Sequence, residues 1–489
     1  MSANAVVVGS GPNGLAAAIR LAQDGVDVTV LEGSDRVGGG TRTSELTLPG
    51  LLHDDCAGIH PTGVASPFLA SLGLERHGLR WLWPEVDLAH PLDDGRAGVL
   101  DRDMGRTVRS LGVDGPSWRR LFEPLAARFD RLVEDVFQPV VGIPRHPLAM
   151  ARFGLTAGLP ATWAARRFED EPARALYMGN AAHAFGRLDT PLSSAIGTLM
   201  MTAGHAVGWP VAAGGTQSIT LAMTRLLESL GGRVETGVTV TRLDQLPELT
   251  GSTPDLVMLN TAPEAAARIA GDRLPARVQR ALGRYRFGPA VHKVDFAVEG
   301  DVPWTNQDCR RAGSLHLGGG ATEIAAAEAA TARGDMPERP FVLVGQQYLA
   351  DPSRSTPQAN PLYAYAHVPH GYTGDATTAV VDQIERFAPG FRDRVLAVHT
   401  RTAREMSAYN PNYTGGDICS GANSLRQLVL RPRAGLNPYS LGTPGLYLCS
   451  AATPPGAGVH GMGGANAAER ALSWLDERRS KDRIPERKG

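Results

Sequence analysis

Three glycines near the start of the chain have a spacing suited to nucleotide binding: Gly9, Gly11 and Gly14 form the pattern Gly-x-Gly-x-x-Gly. An apolar run at 5–8 precedes them and predicts a buried strand, while 14–22 predicts a helix. In such a turn Gly9 allows the tight bend, Gly11 lets a pyrophosphate approach the backbone, and Gly14 lets the helix pack against the strand. The free N–H groups at the start of the helix would then face the phosphates.

A carboxylate follows at the position that such a site requires. A second strand is predicted at 26–31 and is followed by Glu32, where an acid accepts hydrogen bonds from the hydroxyls of an adenosine ribose. A lone Gly-x-Gly-x-x-Gly occurs in many unrelated loops, but here two strands, a helix and the acid share one register. The glycine-rich loop 33–42 comes next and must approach a neighbouring group closely.

The same glycine spacing recurs late in the chain, at Gly456, Gly458 and Gly461. A second nucleotide site for a nicotinamide is not expected there, because two prolines separate the pattern from the preceding strand at 445–450 and no later strand supplies an acid. We expect instead that the final helix points its N-terminal amides at the other end of the first cofactor. This arrangement favours a large cofactor with two distinct ends.

Other catalytic patterns are absent from the sequence. It contains no Gly-x-Ser-x-Gly elbow and no Gly-Lys-Ser/Thr phosphate loop, and we find no Ser-His-Asp constellation. The acids and histidines at 53–60 fit no metal-ligand spacing, so no metal site is predicted. His460 precedes the final helix, where it could serve as an acid or base or could simply cap the loop, and both interpretations stay open.

The bulk composition excludes several classes of protein. A formal net charge of -1 over 489 residues gives no electrostatic footprint for a nucleic acid. Four scattered cysteines without a Cys-x-x-Cys pair suit a reducing cytoplasm and no disulfide scaffold. No basic-then-apolar leader precedes the first strand, and no apolar stretch of about 18 residues predicts a membrane span. A cytoplasmic location is therefore expected.

The predicted elements give an α/β fold with a discontinuous Rossmann-like domain. Strands are predicted at 87–92, 97–100, 233–236, 238–243 and 256–260, at 285–298, 341–348 and 363–368, and at 445–450, and 103–200 reads as mostly helical. We assign 1–100, 212–285 and 440–475 to the nucleotide-binding domain. Segments 101–211 and 286–439 form a mixed-sheet and helical substrate domain, and 476–489 is a frayed tail. The segment 145–167 is apolar with basic ends, which predicts core or substrate-tunnel helices or a membrane-surface patch.

The motifs together resemble one family. The Gly9 turn with Glu32, the 36–39 loop, the helix opened by 214–215 and the 454–464 segment resemble the phytoene desaturase-like branch of the FAD-dependent amine oxidase superfamily. Segments at 387–391, 410–418 and 450–461 look like its pyridine nucleotide-disulfide oxidoreductase domain-containing protein 2 type in particular. The resemblance implies FAD as the cofactor. By matched position, the residues expected to bind it are Gly9, Gly11, Pro12, Asn13, Gly14, Glu32, Gly33, Gly39, Gly40, Thr41, Arg42, Val240, Ala452, Gly461, Met462 and Gly463.

The resemblance also implies a catalytic lysine. Lys293 lies on a strand that resembles the one where many amine oxidases carry a lysine that holds a water against flavin N5 and assists reaction with oxygen. A buried amine would suit that role because burial favours its neutral form. A solvated lysine or a salt bridge is the alternative. With His460, it forms the expected catalytic pair.

The expected activity is dehydrogenation of an apolar, lipid-like or polyene substrate by hydride transfer to flavin N5. Small residues at 450–452 replace the acid that amine oxidases commonly carry, which shifts weight away from amine oxidation. Isomerisation or saturation of a double bond, amine oxidation, and FAD binding without catalysis stay open as alternatives. Oxygen or a quinone is the expected electron acceptor, no nucleic acid is expected as a partner, and peripheral membrane contact and a homodimer are left open.

Overall fold

The computed structural model describes residues 3–483, whose helices and strands alternate along the chain. The strands are β1 (Asn4–Val8), β2 (Asp27–Leu31), β3 (Thr43–Ser44), β4 (His53–Asp54), β5 (Trp81–Leu82), β6 (Val86–Pro91), β7 (Ala97–Leu100), β8 (Val211–Ala212), β9 (Arg233–Glu235), β10 (Leu256–Leu259), β11 (Ala290–Val298), β12 (Ala312–Leu317), β13 (Val342–Gly345), β14 (Asn360–Val368), β15 (Val395–Arg401) and β16 (Leu446–Leu448). The helices are α1 (Pro12–Gln23), α2 (Pro61–Val64), α3 (Pro67–Ser71), α4 (Met104–Ser110), α5 (Gly115–Ala126), α6 (Phe129–Val136), α7 (Pro147–Ala157), α8 (Ala161–Ala164), α9 (Glu171–Ala181), α10 (Ser194–Val207), α11 (Gln217–Ser229), α12 (Leu246–Thr250), α13 (Pro263–Ala270), α14 (Ala276–Leu282), α15 (Ala321–Arg333), α16 (Thr377–Phe387), α17 (Ala403–Tyr409), α18 (Leu425–Leu430) and α19 (Met462–Arg483).

A five-stranded parallel sheet, in the order β16-β10-β1-β2-β9, carries the glycine turn. Its strands are apolar on both faces because helices α1, α11 and α19 cover one side and α13 and α14 the other. The predicted α/β class with a Rossmann-like sheet is confirmed. Three separated parts of the chain contribute strands to this sheet, so its carboxyl edge gathers residues from the beginning, the middle and the end of the sequence.

A seven-stranded mixed sheet, in the order β15-β11-β14-β13-β12-β6-β7, forms a second layer. Alternation along β11 and β14 gives this sheet two different faces. One face packs Val294, Phe296 and their neighbours against α16 in an apolar core. The opposite face carries buried polar residues, among them Lys293, His316 and Tyr365. A group of helices from α5 to α10 packs beside this sheet and closes the space above the polar face.

The fold differs from the predictions at several places. Residues 238–242 form no regular strand. The chain is held beside the end of β2 by two backbone hydrogen bonds outside the regular ladder, from Val238 N–H to the Glu32 carbonyl and from Gly237 N–H to the Ser34 carbonyl. Strands β6 and β7 pair with β12 in the seven-stranded sheet, so the part of 1–100 beyond about residue 85 packs away from the nucleotide-binding sheet. Strands β12 and β15 and helix α15 were not predicted.

The end of the chain also differs from expectation. Helix α19 continues to Arg483, so 476–483 is helical rather than frayed, and 484–489 lie outside the described residues. Among the helices that the structure describes, none combines the length and the apolar character needed to cross a membrane.

Candidate functional site

A cavity of 1610 Å³ extends from the carboxyl edge of the parallel sheet to helices α6, α7 and α10. Its walls include both the glycine turn and the polar face of the seven-stranded sheet. Of the residues predicted to bind FAD, those that line this cavity are Gly9, Gly11, Pro12, Asn13, Glu32, Gly33, Gly39, Gly40, Thr41, Arg42 and Val240. The nucleotide motif therefore opens directly into this cavity.

The turn between β1 and α1 is held by an amide that the sequence pattern did not single out. Helix α1 has Gly11 as its N-cap and Pro12 at its first position, with no side-chain cap. In the orientation that satisfies both of its amide atoms, Asn260 accepts hydrogen bonds from the N–H groups of Gly11 at 3.2 Å and Gly14 at 3.1 Å. A Cβ at Gly14 would overlap the carbonyl oxygen of Gly9, so this glycine is needed for close packing of the turn.

Glu32 is oriented for hydrogen bonding at the end of β2. Its carboxylate accepts hydrogen bonds from the N–H of Ser10 at 2.8 Å, the hydroxyl of Ser10 at 2.6 Å and the N–H of Ser34 at 2.9 Å. The guanidinium of Arg42 lies 3.4 Å from the same carboxylate and donates to the Arg36 carbonyl at 3.0 Å. These donors fix the acid at the cavity wall, where a ribose would meet it.

The glycine-rich loop lies against the turn with no room for side chains. A Cβ at Gly39 would come within 3.1 Å of the Gly11 Cα, and one at Gly40 would overlap the Tyr413 hydroxyl. The hydroxyl of Tyr409 donates to the Gly39 carbonyl at 2.9 Å and so fixes the loop from the opposite side. Backbone N–H donors, a helix N-terminus and the acceptor carboxylate of Glu32 therefore line one wall, which is the set of groups that a dinucleotide such as FAD requires.

Five predicted cofactor residues do not line the cavity: Gly14, Ala452, Gly461, Met462 and Gly463. The first turn of α19 instead packs onto α1, where the N–H of Gly464 donates to the Asn13 side chain at 3.3 Å. A Cβ at Gly464 would overlap the Asn13 carbonyl, and Met462 is buried against Phe137 and its neighbours. From this end of the chain, Ser450, Ala451 and 455–460 line the cavity in their place.

His460 lines the cavity, as predicted, but its ring is used to hold the loop. Its Nδ1 accepts a hydrogen bond from the N–H of Met462 at 3.1 Å, and its ring packs 5.1 Å from that of Phe137. Burial lowers the pKa of His460 to about 4, against the opposing effect of the carbonyls of Ala457 and Gly456. A neutral capping histidine fits this geometry, so the capping interpretation is favoured over the acid–base one.

Lys293 lies outside the cavity, contrary to the catalytic expectation. Its side chain is buried and donates to both carboxylate oxygens of Asp295, two residues further along the same face of β11. Burial alone would raise the pKa of Asp295, but Lys293, His399 and His53 hold it well below its usual value. The Lys293 Nζ lies 4.4 Å from the centroid of Tyr363, and it is Tyr363 that lines the cavity. A buried ion pair therefore replaces the expected free amine.

The acids and histidines at 53–60 tie the two sheets together. Asp54 pairs with the buried Arg354 at 2.5 Å, and Asp55 pairs with Arg401 at 3.0 Å. His53 lies 3.5 Å from Asp295, and the ring of His60 hydrogen-bonds Thr216. These contacts give the cluster a structural role at the base of the site.

The far arm of the cavity is apolar. It is lined by aliphatic and aromatic side chains of the helical segment and its loops, chiefly Val136, Phe137, Met150, Phe153, Phe185, Leu192, Ile196, Leu199, Met200 and Trp209. Three non-glycine residues of the described chain have a positive φ, Phe185, Leu192 and Ser420, and all three line the cavity. Strained backbone of this kind concentrates at functional sites. Sequence periodicity marked these helices as buried or tunnel-forming but gave no sign of which side chains face the space.

Comparisons with known proteins agree with this geometry. Residues 7–72 match a family model described as an NAD(P)-binding Rossmann-like domain. Pyridine nucleotide-disulfide oxidoreductase domain-containing protein 2 of Mus musculus is 24% identical over 555 residues, covering 95% of this chain and 92% of that protein. Hydroxyneurosporene desaturase of Cereibacter sphaeroides is 30% identical over 262 residues, which cover 49% of this chain and 50% of that enzyme.

A solved structure shares the fold over nearly the whole chain. A variant of putrescine oxidase superposes with a TM-score of 0.61 at 17% identity, covering 98% of this chain and 100% of that one. The likeness extends over both sheets and the helical segment. The likeness shows the shared fold; taken with the glycine turn and the oxidoreductase relatives, the findings indicate FAD as the cofactor and an oxidoreductase as the class of enzyme. These findings support an FAD-dependent oxidoreductase of the amine oxidase and desaturase-like kind.

Proposed function

We propose that the enzyme dehydrogenates an apolar substrate, lipid-like or polyene in character, by hydride transfer to FAD. One observation carries the proposal: the cavity that begins at the Gly9 turn and Glu32 continues without a break into the apolar arm around Phe153 and Leu199. A substrate in that arm would lie end-on to a flavin whose nucleotide end is held at the turn. Burial of the substrate's carbon chain among such side chains stabilises the complex by about 25 cal/mol per Å².

The protein's own groups orient the substrate and exclude water. When bound, FAD supplies the redox chemistry, with flavin N5 as the hydride acceptor. The apolar walls keep water from the reacting carbon, and Glu32 and the amides of the turn hold the nucleotide end of the cofactor. His460 keeps the loop at 455–460 in place beside the cavity.

Amine oxidation receives less support from the cavity walls. Among the described residues that line the cavity, the carboxylates are Glu32 and Asp135. Asp135 accepts hydrogen bonds from the N–H groups of Arg145 at 2.7 Å and His146 at 2.8 Å, and Glu32 is held by Ser10 and Ser34. A cationic amine would therefore enter an arm with no free carboxylate to pair with it.

The test is anaerobic bleaching of the FAD-loaded enzyme. We expect loss of the oxidised flavin absorbance on addition of an apolar polyene, and no bleaching by a diamine. Bleaching by the amine alone would overturn the proposal. An isomerase would convert the polyene without net flavin reduction, and a non-catalytic binder would leave both the flavin and the polyene unchanged. The rate at which oxygen or a quinone restores the absorbance would identify the acceptor, for which both remain proposed.

A further inference from the structure

The floor of the substrate arm is the polar face of the seven-stranded sheet. Strands β11, β14, β13 and β12 pair so that two neighbouring cross-strand rows lie on this face. The first row is Lys293, Tyr365, Leu343 and His316, and the second is Asp295, Tyr363, Gly345 and Ser314. At the β11 end, the opposite charges of Lys293 and Asp295 form an ion pair and so neutralise each other. The β12 ends, His316 and Ser314, have no such compensation.

Two buried polar atoms at the β12 end lack a partner. The hydroxyl of Ser314 and Nδ1 of His316 form no hydrogen bond with any residue that the structure describes, although both side chains are fully buried. Leaving a buried polar group unsatisfied costs about 1–3 kcal/mol, so such atoms call for an explanation. Ser314 lines the cavity, which means that a ligand in the arm can reach it.

A second histidine connects His316 to the cavity. His183 lines the cavity and its Nε2 lies 3.0 Å from Nε2 of His316. Burial lowers the pKa of His183 to about 3 and that of His316 well below its usual value, so both rings are neutral near pH 7. One ring must then donate and the other accept.

The unpartnered Nδ1 of His316 decides the direction of that bond. A buried N–H without an acceptor is rarer than an unshared lone pair, which assigns the His316 proton to Nε2. His316 then donates to His183, and His183 carries its own proton on Nδ1, which makes no hydrogen bond to a described residue. His183 thus has one N–H donor available at the cavity wall.

The segment that carries His183 is rigidly placed over the floor. Two residues later Phe185 adopts a φ of 50°, and its ring packs 4.0 Å from the ring of His367. The ring of His183 itself lies 6.0 Å from that of Trp209, edge to face. Strained backbone held by aromatic packing keeps the imidazole in one position, as a recognition group requires.

We propose that His183 and Ser314 form a polar subsite that hydrogen-bonds an uncharged oxygen, a hydroxyl or a carbonyl, on an otherwise apolar substrate. His316 is a positioning residue that fixes the tautomer and the ring of His183. His183 and Ser314 both line the cavity, and Ser314 lies two positions from His316, the partner of His183, on one face of β12, a spacing of about 7 Å. This inference rests on the proposed function, since it names the substrate class of the same arm.

The experiment compares two polyenes with the same branched C15 carbon skeleton, farnesol and farnesene, of which only farnesol carries a hydroxyl. The Kd of each is measured by calorimetry on the FAD-loaded enzyme and on its His183→Phe and Ser314→Ala variants. We expect His183→Phe to raise the Kd of farnesol about tenfold and Ser314→Ala about threefold, the usual range for one hydrogen bond. The Kd of farnesene should stay within about twofold.

Controls separate this inference from the proposed function. His77→Phe, a partly buried histidine outside the cavity lining, should change neither Kd. His183→Gln retains an amide donor and should recover part of the farnesol affinity. If His183→Phe and Ser314→Ala each changed the Kd of farnesol and the Kd of farnesene by the same factor, the proposed polar subsite would be wrong. The proposal of an apolar substrate arm would be unaffected. Failure of the unmodified FAD-loaded enzyme to bind either ligand would overturn the proposed function itself, and the polar subsite with it.

Discussion

Glu32 is the single residue on which cofactor affinity should depend most. Its carboxylate is oriented by Ser10 and Ser34 at the cavity wall, so a charged acceptor is ready before FAD arrives. We expect Glu32→Gln to raise the Kd of FAD about tenfold or more, because a hydrogen bond to a charged group contributes about 1.5–3 kcal/mol. Equilibrium dialysis of the apoprotein against FAD measures this change.

The matched control for this substitution is Glu75→Gln. Glu75 is an exposed acid in the short turn at 74–77 and lies outside the cavity lining. Its substitution should leave the Kd of FAD unchanged. An unaltered Kd in Glu32→Gln would show that the acid orients the turn without contacting the ribose.

Lys293 is a residue whose expected role the structure changes. Because its amine is paired with the buried Asp295, Lys293→Met should leave a carboxylate without its main partner and lower the free energy of unfolding by about 3–5 kcal/mol. Denaturant unfolding of the FAD-loaded protein measures this loss. The double variant Lys293→Met with Asp295→Leu removes both charges and should recover most of it.

The double variant also tests the role suggested by the family resemblance. With stability restored, flavin reoxidation by oxygen should proceed at the unmodified rate if Lys293 serves only as a structural partner. A reoxidation rate reduced in both variants would instead support the oxygen-assisting role, acting across the ring of Tyr363.

At the scale of single elements, β6 carries a titratable group that should make stability depend on pH. Oδ1 of Asp87 accepts the N–H of Trp209 at 2.8 Å, whereas Oδ2 has no partner. Burial, with a smaller contribution from Asp101, raises the pKa of Asp87 from 3.8 to about 7 against the opposing effects of the Trp209 N–H and Arg102. The folded protein therefore holds a proton that the unfolded chain has already lost.

The raised pKa of Asp87 makes the folded protein less stable as the pH rises. Because the folded pKa is raised, the stabilisation that the protonated Asp87 provides is lost as pH rises from 3.8 to about 7, by about 2 kcal/mol between about pH 5.5 and about pH 8. Asp87→Asn should remove that part of the pH dependence, as measured by denaturant unfolding at both pH values. Asp94→Asn, in the exposed turn after β6, should not, since hydrogen bonds from Arg96 lower the pKa of that carboxyl. An unchanged slope in Asp87→Asn would contradict the assignment.

Local sequence pattern was sufficient to predict the elements around the glycine turn. It was insufficient to predict those that line the rest of the cavity. The run β1–α1–β2 was predicted because its apolar period and glycines are contiguous in sequence. Strand β12 was missed because Ser314 and His316 interrupt its apolar pattern; Ser314 lines the cavity, and His316 contacts His183, which also lines it. Asn260 reaches Gly11 from about 250 positions away, a contact that no local pattern encodes.

At the scale of the whole molecule, the cavity is lined by both sheets, and the two sheets contribute different kinds of group to it. The parallel sheet lines the cavity with the backbone of the glycine turn and with Glu32, while the mixed sheet lines it with Ser314, Leu343, Tyr363 and Tyr365. The helices above close the arm with apolar side chains. The loop 138–146 both lines the cavity and contains exposed side chains, as expected of an entrance.

That loop has an unusual surface for a water-exposed segment. Val140, Val141 and Ile143 line the cavity and are also exposed, Ile143 by 98%. The next helix, α7, exposes Leu148 by 81% and carries Arg152 beside it, while its other face lines the cavity through Phe153. We propose that this rim rests on a membrane surface from which the apolar substrate enters, since exposed aliphatics flanked by arginines suit an anionic interface.

The proposal predicts vesicle binding that depends on the rim. Ile143→Asp and Leu148→Asp should each weaken partitioning onto vesicles of phosphatidylcholine and phosphatidylserine about tenfold, because a buried aliphatic side chain contributes about 1.5–3 kcal/mol and a charge opposes insertion. Co-sedimentation of the FAD-loaded enzyme measures the partition. Leu396→Asp, an equally aliphatic exposed site on β15 outside the cavity lining, should leave it unchanged. Equal losses at all three positions would mean that charge, rather than the rim, governs the interaction, and the entrance would then face water.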